Sequence, residues 1–527
     1  MPSNTRYGKA ALISAFVVGG GQIYSRRIWS GIVLAGLFYG SIALMVIIWT
    51  GINQAFWGLL AAWILFWVYN ILDAYKGFRY QKPPCEKACP AGIAPWIYIN
   101  LICNNSEEKY PFIPFFGTLE HICPAPCESE CTRRGIDAAV AIKYLKRCVS
   151  MEEPGRAANA RREKIAIIGA GPCGLSAAHY LGRKGYNVTV YEREEKPGGV
   201  LAILIPRFRL PDAMLDAEIK ATLGPNVELK CDVEIGKDLK FEELLENYDA
   251  VLVAIGAWRA TALGIPGEKI ALSGFDVLRK IKNGERFDLG TVGVIGGGNT
   301  AIDAARSLRR QGNDVKIFYR RRIMDMPAEK EDRIEAQEEG IEIVPLTTPV
   351  EMKKGITVMT RTECTEGRKG GVEIVRDSEF EVKLDAVVIT AGQWPESNFM
   401  KDHVTTDRHG RILTKNGRTS QPKIYAAGDA VLGSATVAHA VGQGLSVAEE
   451  LDRRLRKVPG FWHRMVRREF LPGVRQISMH TDKKIEIPHR AVEERVKDFN
   501  EVELKAPNEE LKKEACRCLT CPIKYNP

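Results

Sequence analysis

The sequence lacks several features that would place it in common functional classes. It has only eight histidines, and none in its cysteine-rich part is spaced to complete a zinc site with a cysteine pair. It has no reader motif and no basic stripe interleaved with aromatic residues, so its formal net charge of +9 does not indicate nucleic-acid binding. No CxxC or CxxxxC pair lies near its glycine-rich turns, which disfavours a disulfide reductase. Its 527 residues exceed what one hydrophobic core usually supports, so we expect several domains.

The first glycine-rich turn has the spacing of a dinucleotide-binding fingerprint. Gly169, Gly171 and Gly174 follow the apolar strand 165–168 and open a helix, a context in which the backbone can approach a pyrophosphate. An acid, Glu192, closes the next strand and is placed to bind both hydroxyls of a ribose. This pattern predicts the adenosine half of FAD or NAD.

A second fingerprint differs at the position that selects the nucleotide. Gly296 and Gly298 follow another apolar strand, with an alanine in the third position. The next strand ends in Arg320 and Arg321, where an acid would otherwise stand, so a 2'-phosphate is favoured over a bare ribose. Together the two fingerprints predict bound FAD and NADPH, with a hydride passing between them.

Ten of the thirteen cysteines lie in two stretches, 85–148 and 516–521. Such clusters indicate metal sites or disulfides, and nucleotide-binding domains of this type favour the reducing cytosol and hence metal. Thiolates on short helices and turns can converge on the irons of a cluster, and a proline after a ligand, as after Cys89 and Cys123, bends the chain around it. We therefore favour iron–sulfur binding over zinc or inert cysteines.

Two nearly uncharged apolar stretches, 31–51 and 55–72, each have the length of a bilayer-spanning helix. Lysines and arginines flank the pair on both outer sides, so the positive-inside rule predicts a hairpin in the cytoplasmic membrane with both ends in the cytoplasm. The short apolar segment 10–24 is interpreted as interfacial or re-entrant. A cleaved signal peptide and two buried core helices are the alternatives, disfavoured because the apolar stretches are long, repeated and apolar on every face.

Several longer runs resemble one known family. They are Cys85–Pro90, His121–Cys131, Gly169–Leu175, Ile205–Pro211, Gly296–Asp303, Tyr319–Arg321 and Met326–Ala328. On these runs the sequence resembles the small (beta) subunit of bacterial NADPH-dependent glutamate synthase and its relatives, over about residues 83–455 and again in the tail. The relatives include the electron-input half of dihydropyrimidine dehydrogenase and the NADPH-binding subunit of a ferredoxin-linked transhydrogenase. The resemblance implies a two-nucleotide flavoprotein fused to an all-helical domain that holds two [4Fe–4S] clusters.

The resemblance also implies which further residues contact the cofactors. For NADPH these are Asn299 and Thr300, in the second fingerprint. No catalytic acid or base is expected, because hydride transfer needs stacked rings rather than a proton donor. The helix that opens after Thr436 would direct its positive end at the flavin. The residues implied for the flavin are Gly199, Arg207, Gly428, Asp429, Thr436 and Val437.

The cluster ligands follow from the one departure from the family pattern. In the glutamate synthase subunit an Arg-Cys-Leu-x-Cys element precedes the other cluster cysteines, whereas here it stands at 517–521. We infer that this tail folds back to the cysteine-rich part. The fourth ligand of the second cluster stays open. Relatives carry a Gln or Glu at about this place, but this chain has Lys146 there, so Cys148 or Cys103 would have to be the ligand instead. One cluster with spare thiols is the alternative. The implied sets are Cys85, Cys131, Cys518 and Cys521 for one cluster and Cys89, Cys123 and Cys127 for the other.

The predicted fold class is α/β. Two Rossmann-like, glutathione-reductase-like domains are joined to an all-α two-cluster iron–sulfur domain and an N-terminal transmembrane hairpin. The predicted domains are 1–80 for the hairpin, 81–155 for the iron–sulfur domain, 160–285 with 395–460 for FAD, 286–394 for NADPH and 461–527 for the returning tail.

The predicted function is that of an NAD(P)H:acceptor oxidoreductase. NADPH would reduce FAD, and the clusters would carry electrons to an unidentified partner protein or membrane acceptor. The chain has no amidotransferase or barrel-sized segment, so we expect it to pass electrons on rather than complete glutamate or pyrimidine chemistry. The alternatives are a non-catalytic subunit that tethers a redox complex to the membrane, and reverse flow from ferredoxin or a quinol to NADP.

Overall fold

A computed structural model of the chain describes residues 36–42, 60–70, 82–154, 159–224, 226–364, 371–456 and 483–521. We call residues 82–154 the cysteine-rich segment and residues 483–521 the C-terminal segment.

The predicted membrane hairpin requires a correction. Among the residues with described structure, no helix combines the length and the apolar character needed to cross a bilayer. The described parts of the two predicted spans are the helical residues 36–42 and 60–70. On this finding the predicted location at the cytoplasmic membrane is wrong, and the described residues give the predicted hairpin no support. The rest of both spans, and the segment 10–24, lie outside the described residues.

The strands alternate with helices along most of the chain. In chain order the strands are β1 (Lys164–Ile168), β2 (Asn187–Tyr191), β3 (Val227–Lys230), β4 (Ala250–Val253), β5 (Arg259–Ala260), β6 (Leu272–Ser273), β7 (Thr291–Ile295), β8 (Asp314–Tyr319), β9 (Glu342–Pro345), β10 (Thr347–Lys353), β11 (Ile356–Cys364), β12 (Val372–Ile374), β13 (Phe380–Lys383), β14 (Ala386–Ile389), β15 (Gln393–Trp394) and β16 (Ile424–Ala426).

The helices of the cysteine-rich segment are short, and several begin with proline, which fits the first helical turn because its missing N–H would have no partner there. In chain order the helices are α1 (Pro84–Lys87), α2 (Pro95–Cys103), α3 (Thr118–Ile122), α4 (Pro126–Ser129), α5 (Pro172–Arg183), α6 (Val200–Ile203), α7 (Asp212–Thr222), α8 (Phe241–Asn247), α9 (Gly274–Lys282), α10 (Asn299–Arg310), α11 (Lys330–Glu338), α12 (Asp429–Leu432), α13 (Val437–Leu455), α14 (Val492–Arg495) and α15 (Asn508–Cys516).

Two parallel sheets form the α/β part of the molecule. The first has the strand order β16-β4-β1-β2-β3, and the second has the order β6-β14-β7-β8-β9. The inner strands β1, β4 and β7 are largely buried apolar runs, as parallel strands covered by helices on both faces require. β6 falls inside the range 160–285 predicted for the first nucleotide domain, but it pairs with β14 in the second sheet. An antiparallel sheet of β10 to β13 adjoins the second sheet.

The cysteine-rich segment packs directly on the first sheet's helices. One continuous hydrophobic core includes Trp96 of the segment and Leu175 of α5. The Glu218 carboxylate on α7 accepts hydrogen bonds from the backbone N–H groups of Gly117 at 2.6 Å and Thr118 at 2.7 Å, at the start of α3. These contacts hold the cysteines in a fixed position relative to the first nucleotide domain.

The backbones of the two parts approach closely at Gly442 of α13. A Cβ atom at this position would stand 1.8 Å from the carbonyl oxygen of Pro90, which follows Cys89. We expect Gly442→Ala to destabilise the protein by about 1–3 kcal/mol, because neither backbone can yield without moving its element. A urea titration of the variant measures this loss. Gly135→Ala is the matched control, because its Cβ meets nothing within 4 Å; equal midpoints for the two variants would contradict the packing.

Candidate functional site

The first fingerprint opens onto a cavity of about 330 Å³ at the carboxyl ends of the first sheet. This edge is where parallel α/β sheets bind nucleotides. Gly174 does not line the cavity but lets α5 pack on β1, since a Cβ there would lie 2.0 Å from the Gly169 carbonyl oxygen. We call this the first cavity. The predicted residues that line it are Gly169, Gly171, Glu192, Gly199, Gly428, Asp429, Thr436 and Val437.

The polar groups of the first cavity are already oriented by the backbone. Glu192 accepts hydrogen bonds from the N–H groups of Ala170 at 2.7 Å and Glu194 at 3.0 Å, and burial raises its pKa. Burial also raises the pKa of Asp429 to about 7. The hydroxyl oxygen of Thr436 caps α13 by accepting from the N–H of His439, so the positive end of this long helix faces the cavity. The site therefore offers backbone donors and one helix terminus to an anionic nucleotide.

The second fingerprint opens onto a larger cavity of about 980 Å³, which we call the second cavity. The Arg320 and Arg321 side chains lie along it, whereas Arg322 pairs with Asp325 at 2.7 Å. The hydrogen bond from the Arg322 guanidinium lowers the pKa of Asp325. This effect outweighs burial, which acts to raise the same pKa. The predicted residues that line the second cavity are Gly296, Gly298, Asn299, Thr300, Arg320 and Arg321.

The two cavities share a wall. Asp429, Thr436 and Val437 line both of them, so groups bound in the two cavities would contact the same residues. The second cavity also reaches Ile122 and Pro124, the residues on either side of Cys123. The cysteine-rich segment thus closes one end of the space in which two nucleotides would meet.

Four cysteines from distant parts of the chain meet in one small cavity, which we call the first cysteine site. Cys85 and Cys131 line it together with Cys518 and Cys521 of the C-terminal segment. The hydroxyl group of Thr132 lies 2.9 Å from the Cys521 sulfur. The structure therefore brings together the tail and the cysteine-rich segment, as the sequence predicted for these residues.

Three further cysteines line a separate cavity, the second cysteine site. They are Cys89, Cys123 and Cys127, and the side chain of Lys146 completes the lining on the polar side. Each of the short helices α1 and α4 lies between the two sites. Cys85 lies within α1 and lines the first site, and Cys89, four residues later, lines the second. The two sites therefore lie back to back across these helices.

Both cysteine sites are poor places for unpaired thiolates. Burial raises the pKa of the Cys85 thiol, and the neighbouring cysteines 518, 127, 521 and 131 raise it further. Burial likewise raises the pKa of Cys518 to about 12. Thiolates are the ligands of iron–sulfur clusters, so a cationic metal centre would relieve the repulsion among the thiolates of such a set. The donor sets fit iron–sulfur binding on this chemical ground.

Two cysteines considered as a fourth ligand are placed elsewhere. Cys103 forms a disulfide with Cys516, with a Cα–Cα distance of 5.0 Å, which fastens α15 to α2. Cys148 ends the 3₁₀ helix Tyr144–Cys148 and lines neither cysteine site. The structure does not bring Cys148 to the second cysteine site.

Sequence reasoning also selected one arginine and missed its neighbour. Arg207 pairs with Asp212 at 2.6 Å and lines neither nucleotide cavity. Arg209 lines the second cavity, and its guanidinium contacts Asp303 at 2.9 Å and Asp332 at 2.8 Å. Both belong to the run 205–211, so the signal was present. Choosing between them requires knowing which side of the run faces the cavity.

A family model described as pyridine nucleotide-disulphide oxidoreductase matches residues 163–444. The beta subunit of NADP(+)-dependent formate dehydrogenase from Moorella thermoacetica is 32% identical over 508 residues, covering 85% of this chain and 71% of that protein. The beta subunit of NADPH-Fe(3+) oxidoreductase from Geobacter sulfurreducens is 30% identical, covering 86% of this chain and 76% of that protein. The PreT subunit of NAD-dependent dihydropyrimidine dehydrogenase from Escherichia coli K12 is 33% identical, covering 73% of this chain and 94% of that protein.

Among solved structures, FprA from Mycobacterium tuberculosis resembles this chain with a TM-score of 0.51 at 20% identity. The likeness covers 57% of this chain and 88% of FprA, and it supports the α/β nucleotide-binding fold alone.

Proposed function

This chain belongs to the pyridine nucleotide-disulphide oxidoreductase family, and from that premise we propose that it is the NADPH-oxidising, electron-transferring subunit of a redox complex. In this proposal FAD occupies the first cavity, NADPH occupies the second, and one [4Fe–4S] cluster occupies each cysteine site. The relatives named above are themselves oxidoreductase subunits, which supports a partner protein as the electron acceptor.

One observation carries the proposal: the N-terminus of α13 borders three sites in succession. Val437 lines both nucleotide cavities, and the next residue, Ala438, lines the second cysteine site. The helix α2 then separates the two cysteine sites, because Pro95 lines the second and Trp96 lines the first. The four sites therefore lie in a row, with the tail cysteines at the far end from the nucleotides.

The chain's own residues bind and orient, while the cofactors supply the redox chemistry. When bound, FAD exchanges a hydride with NADPH and releases single electrons, which iron–sulfur clusters can carry onward. The glycines at 169 and 171 leave room for a pyrophosphate, and Arg320 with Arg321 presents positive charge for a 2'-phosphate. Thr436 and Val437 line both cavities, so they would hold the two cofactors side by side when both are bound.

The function is tested with full-length protein purified without oxygen. We expect a yellow-brown protein whose flavin absorbance bleaches when NADPH is added, followed by loss of the broad iron–sulfur absorbance. A protein that binds no flavin would instead be a non-catalytic subunit.

The arginines predict the coenzyme preference. Arg320→Ala should raise the KM for NADPH by roughly 10- to 100-fold and leave the KM for NADH unchanged, because a charge-assisted phosphate contact contributes about 1.5–3 kcal/mol. Steady-state kinetics with both coenzymes measures the effect. Arg322→Ala is the matched control, since its guanidinium is directed to Asp325. Equal use of NADH and NADPH by the unmodified protein would contradict the assignment.

The tail cysteines predict the iron content. A chain with both Cys518→Ser and Cys521→Ser should retain FAD but lose about half of its iron, because a cluster without two of its four thiolates is rarely kept. Iron and flavin are assayed on the same anaerobic sample. The control is Cys364→Ser, because Cys364 is a free cysteine on β11 that lines neither cysteine site. Undiminished iron in the double variant would exclude the tail as a ligand source.

A further inference from the structure

The second cysteine site offers three thiols and one amine. Its lining residues besides Cys89, Cys123 and Cys127 are apolar except for Tyr98 and Lys146. The Tyr98 hydroxyl is already engaged, since it donates to the carbonyl oxygen of Ile142 at 2.9 Å. Among the described residues that line this cavity, no fourth thiol, carboxylate or imidazole is available to bind a metal.

Lys146 is held in this position by its surroundings. Its side chain is buried, its Nζ donates to the carbonyl oxygen of Leu119 at 3.3 Å, and it stands 5.6 Å from the centroid of the Phe116 ring. Within the described part of the chain, no carboxylate lies within ion-pair distance of this ammonium; the nearby Glu120 pairs with Arg147 at 2.6 Å. A buried ammonium needs a negative partner, and the three thiolates of an occupied site would supply it.

We propose that the cluster of the second cysteine site is bound by three thiolates only, with the Lys146 ammonium beside it as a fixed positive charge in place of a fourth ligand. The proposal rests on the proposed function. An ammonium nitrogen has no lone pair for iron, so one iron of the cluster has no protein ligand.

Two physical consequences follow. The iron without a thiolate is the one lost on oxidation: a [4Fe–4S]²⁺ cluster gives one electron to an added oxidant and releases Fe²⁺, which leaves [3Fe–4S]⁺. The lysine charge and the missing thiolate both favour the reduced cluster, because net charge is one of the factors that set cluster potentials. The second site should therefore accept electrons from the flavin more readily than a four-thiolate site in the same place.

The test uses full-length protein isolated without oxygen and treated with ferricyanide, followed by electron paramagnetic resonance. The unmodified protein should give one three-iron signal per chain, with one ferrous ion released. Lys146→Cys supplies a fourth thiolate and should abolish that signal without lowering the starting iron content. Lys146→Met keeps the side-chain volume but removes the charge, so it should retain both iron and the signal while the midpoint potential of this cluster falls.

Cys148→Ser is the matched control, because it removes the alternative ligand two residues away and should change neither signal nor potential. Loss of a cluster in Cys148→Ser, or loss of iron in Lys146→Met, would overturn the three-thiolate assignment, as would an oxidised unmodified protein without a three-iron signal. Iron-free protein with intact FAD would instead refute the proposed function itself, so the two failures are distinguishable.

Discussion

An ion-pair network between the cysteine-rich segment and the C-terminal segment holds the first cysteine site together. The Arg517 guanidinium, fully buried, donates to Glu514 at 2.8 Å, to Asp137 at 2.9 Å and to the carbonyl oxygen of Ala138 at 2.7 Å. Arg133 pairs with the same Asp137 and donates to the carbonyl oxygen of Arg517 at 3.0 Å. Removing either Arg517 or Glu514, whose side chains are both fully buried, costs about 3–5 kcal/mol, because the partner charge is left uncompensated. Cys518 follows Arg517 directly, so two of the four thiols depend on this network.

The C-terminal segment also contacts the second nucleotide domain. The Arg495 guanidinium reaches Glu338 at 2.6 Å and Glu339 at 3.2 Å, at the end of α11. The Phe499 ring lies against Phe208, with centroids 6.1 Å apart, in the run that carries Arg209. The segment thus touches both the coenzyme-binding domain and the cysteine-rich segment.

The sequence was most informative for candidate sites whose chemistry requires residues at a fixed spacing along the chain. The fingerprint glycines at 169 and 296 could be read directly, because a phosphate-binding turn needs consecutive residues in one local geometry. The α/β fold and the assignment as an oxidoreductase are confirmed. The tail cysteines were inferred from an unusual position of one short motif.

Features that depend on tertiary orientation were harder to predict. Arg207 and Arg209 belong to the same short run, and only the folded structure shows which of them faces the cavity. The Cys103–Cys516 disulfide joins positions 413 residues apart, and no sequence motif near either cysteine indicates the pairing. The transmembrane hairpin was inferred from composition alone, and no helix among the described residues is long and apolar enough to cross a bilayer. From the sequence, Lys146 could be identified only as the residue that stands where relatives carry a ligand. Its role depends on which cavity it lines, and the sequence does not show that.

The most direct test of the account is the ratio of iron and acid-labile sulfide to FAD in full-length protein isolated without oxygen. Two occupied cysteine sites in series with one flavin predict about eight iron and about eight sulfide atoms per FAD. A flavin-replete preparation with about four irons per FAD, or with zinc in place of iron, would contradict a row of two clusters leading away from the flavin.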